Sequence, residues 1–572
     1  MSNPSCRICN GSTVLAFRGR EGGGSFAPTC HEPGAHGDLF RCVECDTVQQ
    51  PSLPAGEQLH DLYRVMEDDG YLAEEEGRRR TARRLLDLLE PHVEGSARRL
   101  LELGCGHGLL LDEARARGYD GLGLELARDA AVYARETLGL NVLEIPVEHP
   151  ELDGERYDAI VLADVIEHLD DPVAAIDRCV ELLAPGGSLL IVTPDPSSRT
   201  ARLAGRRWWG YLPAHYCLIP RATLRELVAA RGLVMTEDVG LVRSFTPAYW
   251  LAGLGERGGA LGSVIGRAAR ALPSSAHLTL SLGDEMVVLA RRVEVEQPKT
   301  PLVRDRGGSP KVHAVLPAYK AARTIHQVAH EMPEGVVDRA LVVDDASPDR
   351  TVDAALEAGF EVLRHPTNRG YGANQKTCYV RAARDGADVV VMIHGDNQYD
   401  PSLVAAMVKP ILDGEADVVM GSRLLQDEAI ASGMPRWRWL GNRFLSWAEN
   451  HAFDRSWSEY HTGYRAFSVD FLRTIPFLRN SDDFVFDQEI YAQIVARNAR
   501  VVELAIPTRY FLEASGVSFP DSVVYGLKTL RVLGRFLVDK RRRRWPLLRR
   551  PALDIVPFRE AAAEAEGEVT HR

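Results

Sequence analysis

The chain has 572 residues, of which 45% are hydrophobic and 26% are charged, and its formal net charge is −12. A single hydrophobic core stops growing near ~250–300 residues, so this length predicts two large domains. The composition excludes long-range disorder, a collagen-like chain and a disulfide miniprotein, and the acidic balance argues against nucleic-acid binding as the main role. No uncharged apolar run reaches the ~18 residues that span a bilayer, and the start, MSNPSCRICN, carries no apolar leader. We therefore expect a cytoplasmic protein.

Two Cys-x-x-Cys pairs lie near the N-terminus: Cys6 with Cys9, and Cys42 with Cys45. Four thiolates at this spacing suit one tetrahedral zinc ion, as in a zinc ribbon. The Gly-rich insert between the pairs adds Cys30, His31 and His36 as alternative ligands. Two unlinked thiol pairs or a redox dithiol are the competing interpretations, and a cytosolic setting disfavours disulfides. We expect a zinc-ribbon-like module over residues 1–50, with zinc in a structural role.

Alternating strand and helix patterns follow from Arg78 to Arg292, which is typical of a parallel sheet covered by helices. The predicted strands are RRLLELGCG, YDGLGLEL, YDAIVLADV, GSLLIVTP and EMVVLARR. Residues 293–310 are rich in Pro, Gly and charge, lack periodicity, and indicate a linker. A second α/β pattern then begins, and its predicted strands are KVHAVLPAY, RALVVDDAS, FEVLRHP and ADVVVMIHGD.

A glycine loop ends the first of these strands and opens a helix. Its glycines are Gly104, Gly106 and Gly108, in the spacing G-x-G-x-G. NAD binding is the obvious rival, but its G-x-G-x-x-G pattern would need glycine where Leu109 stands. The next strand ends in Glu125, a carboxylate placed to accept hydrogen bonds from both hydroxyls of a ribose. The loop and the carboxylate together predict a nucleoside site.

This segment resembles a class I S-adenosylmethionine (SAM)-dependent methyltransferase. The matching segments are ELGCGHG, Glu125, YDAIVLADVIEHLDDP and LLAPGGSLLIVTPD. The resemblance implies a Rossmann-like domain over residues 51–292 with a helical lead-in. It also implies that SAM is held by Gly104, Gly106, Gly108 and Glu125, with Asp164 near the site. Since the methyl group of SAM is already activated, a base is optional; His215 is our candidate, and a structural role is favoured for His168.

Acidic residues end two successive strands of the second pattern. Asp344 and Asp345 end one strand, and Asp396, Asn397 and Gln398 end the other. The carboxyl ends of strands are where open α/β sheets bind ligands, and oxygen ligands of this kind suit a divalent cation. Helix caps are the competing interpretation, which explains one such site more readily than two.

These strand ends resemble inverting family 2 glycosyltransferases of GT-A fold, of the dolichol-phosphate mannose synthase-like branch. The matching segments are LPAY, VDDASPDRT, HPTNRGYGAN, HGDNQYDP, GSR and HTGYRAFS. The resemblance implies a glycosyltransferase domain over residues 311–545, with Mg²⁺ or Mn²⁺ held by Asp396 and Gln398. The residues implied to bind the nucleotide-sugar are Pro317, Tyr319, Asp344, Asp345, Asn368, Gly370, Arg423 and Arg465.

Two departures from the family pattern concern this site. His394 stands where the D-x-D motif begins with Asp, so either the metal is bound more weakly or His394 is itself a ligand. Lys320 and Ala321 replace the usual Asn-Glu. If the acceptor is a hydroxyl, a general base is needed, and Asp487 is our candidate; an anionic lipid phosphate needs none.

The C-terminal region combines helical apolar spacing with a run of basic residues. The stretch from Arg535 to Arg550 contains eight Lys/Arg and one Asp, and RWRWLGNRFLSW (436–447) interleaves arginine with aromatics. Such segments can lie on an anionic membrane surface, at the inner face of the membrane; a core-packing helix with a solvated basic end is the alternative. Residues 546–572 are expected to be disordered.

The prediction is therefore an α/β bifunctional enzyme. It would transfer a sugar from a nucleotide-sugar to a glycan or polyprenyl-phosphate acceptor, and a methyl group from SAM to a sugar or related small molecule. Two alternatives stay open: a single-activity enzyme with one degenerate, binding-only domain, and a non-catalytic scaffold recruited to membranes.

Overall fold

The computed structural model describes residues 3–19, 36–51, 53–65, 71–93, 98–255, 276–425, 436–507, 519–539, 544–551 and 553–555. The chain separates into two compact units, residues 1–292 and residues 293–572. None of the described helices is both long and apolar enough to cross a membrane.

The first unit contains a four-stranded sheet, a seven-stranded sheet and a two-stranded ribbon. Its strands are β1 (Thr13–Phe17), β2 (Leu39–Cys42), β3 (Val48–Gln49), β4 (Arg99–Leu103), β5 (Asp120–Leu124), β6 (Asn141–Leu143), β7 (Tyr157–Ala163), β8 (Leu183–Pro194), β9 (Cys217–Leu218), β10 (Leu233–Gly240), β11 (Arg243–Phe245), β12 (Leu278–Leu280) and β13 (Glu285–Arg292). Its helices are α1 (Glu57–Arg64), α2 (Glu75–Leu89), α3 (Leu109–Ala116), α4 (Arg128–Val132), α5 (Pro172–Leu182), α6 (Arg199–Ala204), α7 (Arg221–Ala230) and α8 (Pro247–Gly255).

The large sheet has the order β10-β13-β8-β7-β4-β5-β6, and β13 runs antiparallel to both of its neighbours. Its middle strands are apolar and buried on both faces, as parallel strands between two helical layers must be. The five predicted strands are β4, β5, β7, β8 and β13; the short β6 and the polar β10 were missed. The carboxyl ends of β4, β5 and β7 share one edge, which is where the glycine loop and Glu125 lie.

The second unit is built on one eight-stranded sheet. Its strands are β14 (Val295–Glu296), β15 (Val312–Ala318), β16 (Arg339–Asp344), β17 (Glu361–Arg364), β18 (Val389–Met392), β19 (Val418–Ser422), β20 (Arg465–Ser468) and β21 (Val501–Ala505). Its helices are α9 (Ile325–Glu331), α10 (Thr351–Glu357), α11 (Tyr371–Arg384), α12 (Val404–Leu412), α13 (Arg436–Phe453), α14 (Val469–Leu472), α15 (Phe486–Ala496) and α16 (Phe519–Asp539). The strand order is β14-β17-β16-β15-β18-β20-β19-β21.

The four predicted strands of the second pattern are β15, β16, β17 and β18, which are parallel neighbours. Their carboxyl ends therefore bring Asp344 and Asp396 to one edge of the sheet. Part of the segment predicted as a linker is attached to this sheet, because β14 pairs with β17. The predicted tail overlaps described residues 544–551, where Leu547 and Leu548 are buried; residues 556–572 lie outside the described part of the chain.

Candidate active sites

A cavity of about 550 Å³ opens at the carboxyl edge of the first unit's large sheet. Gly104, Gly106 and Gly108 follow β4 with φ of 59°, 53° and 79°. These left-handed conformations favour glycine. A Cβ at Gly104 would lie 2.6 Å from Val165 Cγ2, so the loop fits closely against its neighbours, whereas Gly106 lines the cavity.

Glu125, which follows β5, also lines this cavity. Its Oε2 accepts a hydrogen bond from the N–H of Gly106 at 2.7 Å, and its Oε1 accepts one from the N–H of Ala127 at 2.7 Å. Burial raises the pKa of the Glu125 carboxyl. Each oxygen can accept a further hydrogen bond, so the carboxylate can serve two donors of a ligand while the backbone fixes its orientation.

Asp164 lies at the end of β7 with φ of 58°, a strained conformation for a residue with a side chain. Its carboxylate accepts from Arg243 Nη2 at 2.6 and 2.8 Å, and the Arg243 Nε donates to Glu285 at 2.9 Å. All three side chains line the cavity. Asp164 is therefore placed at the site as expected, held there by an arginine that the sequence analysis did not select.

The cavity lining also includes a polar cluster of His168, His215 and Tyr63. His215 Nδ1 lies 2.7 Å from the carbonyl oxygen of Gly210, and the rings of His215 and His168 meet edge to face at 4.8 Å. His168 Nδ1 lies 3.0 Å from the Tyr63 hydroxyl. Burial lowers the pKa of His168 to about 4 and that of His215 to about 3, so both imidazoles are neutral near pH 7.

The four cysteines of the N-terminal module converge on one point. All four Sγ atoms lie within 4.8 Å of one another, with Cys6–Cys45 at 3.5 Å and Cys9–Cys42 at 3.4 Å. A tetrahedral zinc ion with Zn–S bonds of about 2.3 Å needs sulfur separations of about 3.8 Å. The four thiols therefore fit a zinc ion. His36 instead contacts the carbonyl oxygen of Gly37 at 2.7 Å; Cys30 and His31 lie outside the described residues.

In the second unit, Asp344 and Asp345 end β16 with different contacts. Asp344 Oδ1 is buried without a hydrogen-bond partner among the described residues, and burial raises the pKa of this carboxyl. Asp345 instead accepts from the backbone N–H groups of Arg369 and Gly370, each at 2.8 Å, and contacts His365 Nδ1 at 2.8 Å. Asp345 thus organises the loop that carries Asn368 and Gly370, while Asp344 accepts from the N–H of Ser347 through Oδ2, at 3.0 Å, and keeps Oδ1 for another donor.

Elsewhere on this edge, Tyr319 is half exposed after β15, and Pro317 lies within that strand. Gly370 has φ of 92°, and a Cβ there would lie 2.6 Å from the carbonyl oxygen of Asp482. Only glycine therefore fits at this position of the loop. Asn368 Nδ2 donates to the carbonyl oxygen of Asp345 at 3.1 Å.

His394 lies just after β18, with Asp396 two residues further on. His394 Nε2 is 3.2 Å from the hydroxyl of Tyr371, and that hydroxyl donates to Asp487 Oδ2 at 3.3 Å. Burial lowers the pKa of His394, against the opposing effect of Asp396 and Asp487. A Cβ at Gly463 would lie 2.2 Å from His394 Nε2, so this glycine makes room for the imidazole. Asp396 Oδ1 accepts from the N–H of Gln398 at 3.2 Å.

The two arginines predicted to bind the nucleotide-sugar are each paired with a carboxylate, which is buried for Glu459 and partly exposed for Asp487. Arg465 is fully buried; its Nη2 contacts Asp487 Oδ1, and its Nε and Nη1 have no hydrogen-bond partner among the described residues. Gln375 Nε2 also donates to Asp487 Oδ1, at 2.9 Å. Arg423 Nε donates to Glu459 Oε1 at 2.9 Å. The Asp487 carboxylate is thus engaged by an arginine, an amide and the Tyr371 hydroxyl.

Comparison with known proteins assigns both units. A model of the family described as "Methyltransferase domain" matches residues 73–238, and one described as "Glycosyl transferase family 2" matches residues 314–475. Ubiquinone biosynthesis O-methyltransferase of Cereibacter sphaeroides is 32% identical over 171 residues, which are 28% of this chain and 68% of that protein. The chain belongs to the methyltransferases in its first unit, and its second unit contains a glycosyltransferase family 2 domain. The predicted α/β fold class and fusion of two transferase domains are confirmed.

Two further proteins are similar to parts of the chain. UDP-N-acetylglucosamine–dolichyl-phosphate N-acetylglucosaminyltransferase of Methanococcus voltae is 25% identical over 181 residues, 29% of this chain and 72% of that protein. Among solved structures, glucosyl-3-phosphoglycerate synthase of Mycobacterium tuberculosis with uridine diphosphate covers 40% of this chain and 81% of its own, at 21% identity and a TM-score of 0.33.

The methyltransferase cavity also contains residues that sequence reasoning did not select. The Arg78 guanidinium lies over the Tyr71 ring, 3.9 Å from its centroid, and the Tyr71 ring stacks on His107 at 4.7 Å. Tyr63 was missed as well, as was Tyr371 in the glycosyltransferase unit. Tyr63, Tyr71 and Arg78 lie outside the recognised motifs, so no local pattern marks them. His107 and Tyr371 lie within ELGCGHG and HPTNRGYGAN, and those motifs could have pointed to them.

Proposed function

We propose that the chain is a bifunctional enzyme, with a SAM-dependent methyltransferase site in the first unit and a metal-dependent, inverting glycosyltransferase site in the second. The observation that carries the methyl-transfer half is one cavity whose lining contains both the Glu125–Gly106 pair and two neutral histidines, His168 and His215. We call the part lined by Gly106 and Glu125 the donor end and the part lined by the histidines the acceptor end. SAM would supply an activated methyl group. The acceptor would be a sugar or a related small molecule.

The donor end offers three kinds of contact. Glu125 accepts from ribose hydroxyls, and Gly104 and Gly106, which line the cavity, allow the backbone to approach the nucleoside closely. Gly108 is not among the lining residues and instead packs toward Leu140, where a Cβ would lie 2.5 Å from Leu140 Cδ1. Arg78, held flat over the Tyr71 ring and with its Nε donating to the Tyr71 carbonyl oxygen at 3.1 Å, offers a guanidinium to the carboxylate of an amino-acid moiety. Asp164, anchored by Arg243, accepts from an ammonium group.

The acceptor end offers a base. The hydrogen bond from His215 Nδ1 to the Gly210 carbonyl oxygen assigns the proton to Nδ1, which leaves Nε2 as an acceptor. Because this imidazole is neutral, it can take the proton of an attacking hydroxyl or amine. His168, contacted by the Tyr63 hydroxyl, fixes the neighbouring ring. The aromatic wall, which includes Trp209 and Tyr249, excludes water and presents ring faces to the acceptor.

In the glycosyltransferase unit, Asp344 would offer its unpartnered Oδ1 to a nucleoside, and Asp396 with Gln398 would hold Mg²⁺ or Mn²⁺. The cation would neutralise the leaving diphosphate. One carboxylate and one amide oxygen are suitable ligands for such an ion, with His394 beside them in place of a second carboxylate. The name of the Methanococcus voltae relative, which includes UDP-N-acetylglucosamine, supports a nucleotide-sugar donor.

The contacts of Asp487 favour a polyprenyl-phosphate acceptor over a glycan hydroxyl. A general base must turn a lone pair toward the acceptor's proton, but Asp487 Oδ1 already accepts from Arg465 and Gln375, and Oδ2 accepts from Tyr371. A lipid phosphate is anionic and needs no base, and Asp487 then serves to hold Arg465 and Tyr371. A glycan acceptor would instead depend on the one remaining lone pair of Oδ2.

Helices α13 and α16 support peripheral contact with a membrane. They pack against each other and leave apolar side chains exposed, among them Phe444, Trp447 and Leu527. The basic residues 540–543 lie outside the described part of the chain. The pair is connected to the site, because Gln488, next to Asp487, donates to the Tyr525 hydroxyl of α16 at 2.6 Å. An anionic lipid surface suits this face.

Full-length variants test the two activities separately. We expect Asp396→Asn to abolish Mn²⁺-dependent turnover of nucleotide-sugars and to leave SAM affinity unchanged. We expect Glu125→Ala to abolish SAM binding by calorimetry and to leave sugar turnover intact, with Glu144→Ala as a surface control. If the two reactions share a glycan or glycolipid, each variant should still convert the other's product. Failure of both conversions would contradict a shared substrate.

Membrane contact is tested by sedimentation with anionic phosphatidylglycerol vesicles. Phe444→Glu and Leu527→Glu should reduce the bound fraction, whereas Leu412→Glu, an exposed leucine of α12, should not. Equal binding by all three variants would contradict the assignment of this face. Equal binding to neutral and anionic vesicles would contradict its electrostatic part.

A further inference from the structure

The cysteine module and the acceptor end of the methyltransferase cavity share one small sheet. Its order is β1-β2-β3-β9, and β9 pairs with β3 through Val48 with Leu218 and Gln49 with Cys217. Strand β9 directly follows the turn 208–216, which carries Leu212 and His215 into the cavity wall. The module is thus built around a strand whose preceding turn supplies the candidate base.

One side chain connects the two most directly. Gln50, which is buried, donates from Nε2 to the carbonyl oxygens of Leu212 and His215, each at 2.7 Å. Its Oε1 accepts from the N–H of Gly37 at 2.7 Å, and its own N–H donates to the carbonyl oxygen of Tyr216 at 2.9 Å. One glutamine therefore joins the module to three residues of the turn.

The turn needs such a partner because it has no regular secondary structure of its own. Backbone carbonyls that are buried outside helices and sheets must find donors elsewhere. The side-chain amide of Gln50 supplies them on both sides of Pro213 and Ala214. Further contacts hold the same region: Thr223 Oγ1 donates to the carbonyl oxygen of Cys45 at 2.7 Å.

The position of these bonds bears on the His215 imidazole. Its Nδ1 bonds within the same turn, to Gly210, and its ring meets His168 edge to face, so the direction of Nε2 follows the backbone of the turn. His168 Nδ1 in turn lies 3.1 Å from the carbonyl oxygen of Ala214. A change in the path of residues 212–216 therefore moves both imidazoles.

We propose that Gln50 is a positioning residue through which the cysteine module orients His215 toward the methyl acceptor. The module then has a specific task in the methyltransferase unit: it fixes the acceptor wall and leaves the donor end, which is built by β4 and β5, independent. This inference rests on the proposed role of His215 at the acceptor end.

The adjacent glutamine provides a matched control. Gln49 is equally buried, and its bonds stay within the module: its Oε1 accepts from the N–H of Arg7 at 2.9 Å, and its Nε2 donates to the carbonyl oxygen of Ser5 at 2.7 Å. Gln50→Met and Gln49→Met each remove two kinds of hydrogen bond and keep the size of the side chain. Only Gln50→Met breaks the connection to the turn.

The experiment uses full-length protein labelled with ¹³C at the histidine Cε1 position, with the His215 signal assigned from His215→Gln. We expect Gln50→Met to shift the His215 and His168 signals and to leave the Kd for SAM within about twofold, because no bond to the donor end is lost. Gln49→Met should leave both signals in place. Gln50→Leu, which also can neither donate nor accept, should repeat the effect of Gln50→Met and provides a second variant if that protein does not fold.

An unshifted His215 signal in Gln50→Met would overturn the inference, and so would equal shifts in the Gln49 and Gln50 variants, which would mean general loosening of the module. Absence of SAM binding by the unmodified protein would contradict the proposed methyl transfer instead. The histidine signals would still test the role of Gln50, so the two failures are distinguishable.

Discussion

Acid should destabilise the methyltransferase unit through His215, and replacement of this histidine should remove a defined part of the effect. Burial lowers the pKa of His215 to about 3 from an ordinary value of 6.5. The unfolded chain therefore binds a proton here more tightly than the folded chain. Above about pH 6.5 the shifted pKa of His215 has no effect on the free energy of unfolding. As the pH falls from there toward about 3, this histidine lowers the free energy of unfolding progressively.

The magnitude follows from the two proton affinities. At about pH 5 the solution is about 1.5 pH units below the pKa of His215 in the unfolded chain. Protonation of the unfolded chain then favours unfolding by about 2 kcal/mol, since one unit corresponds to about 1.4 kcal/mol. The folded imidazole stays neutral at that pH. His215→Gln removes this difference, whereas the neighbouring buried His168 remains in both proteins and cancels in the comparison.

The assay is urea unfolding of the full chain at about pH 7.5 and about pH 5, followed by hydrogen-exchange mass spectrometry of peptides from β7 and β8. Between these values the unmodified protein should lose about 2 kcal/mol more free energy of unfolding than His215→Gln. His149→Gln, a change at a partly exposed histidine, is the control and should behave as the unmodified protein. If His215→Gln and the unmodified protein lose the same free energy, His215 is not held neutral by burial.

Three further outcomes are expected. Gly463→Ala would place a Cβ 2.2 Å from His394 Nε2 and should lower nucleotide-sugar turnover by about tenfold or more, which corresponds to a barrier higher by about 1.4 kcal/mol. Gly441→Ala, with open space around its Cα, should not lower turnover, and normal turnover in Gly463→Ala would refute the close fit. Glu125→Gln turns an amide N–H₂ toward the N–H of Gly106 or Ala127, so one buried donor loses its acceptor at a cost of about 1–3 kcal/mol. The affinity for SAM should therefore weaken about tenfold or more, and an unchanged calorimetric Kd would contradict this. Elemental analysis should find zinc bound to the purified chain and lost in Cys42→Ser. Zinc should be retained in Cys217→Ser, because Cys217 is a buried cysteine outside the cluster of four, and retention in both variants would exclude the four-thiol site.

The sequence predicted those parts of the fold and site that follow from strand periodicity. Asp344 and Asp396 end apolar runs, and parallel pairing brings such ends to one edge. The same logic placed Glu125 beside the glycine loop, where the structure shows it bonded to Gly106. Strand β10 was missed because its second half, Thr236–Gly240, is polar, and its pairing with β13 rather than its own pattern makes it a strand.

Residues brought together by tertiary packing could not be predicted in this way. Arg78 reaches the cavity from α2 and Tyr63 from α1, and each meets its partner only when these helices pack beside the sheet. Gln50 looks like any polar residue at the end of a short strand. Its function depends on carbonyl groups of a turn more than 160 residues later in the chain, as the separation of 162 residues between Gln50 and Leu212 shows.

Asp487 illustrates how such contacts change a chemical assignment. An acidic residue on a helix after the D-x-D-like strand suggests a general base, and the sequence contains nothing against it. The structure surrounds the same carboxylate with Arg465 from β20 and with Tyr371 and Gln375 from α11. Since these donors come from separate elements, their convergence is a property of the fold alone. A carboxylate whose three donors leave one lone pair, on Oδ2, is better suited to fixing Arg465 and Tyr371 than to removing a proton, and that is the physical reason for favouring an acceptor that arrives already ionised.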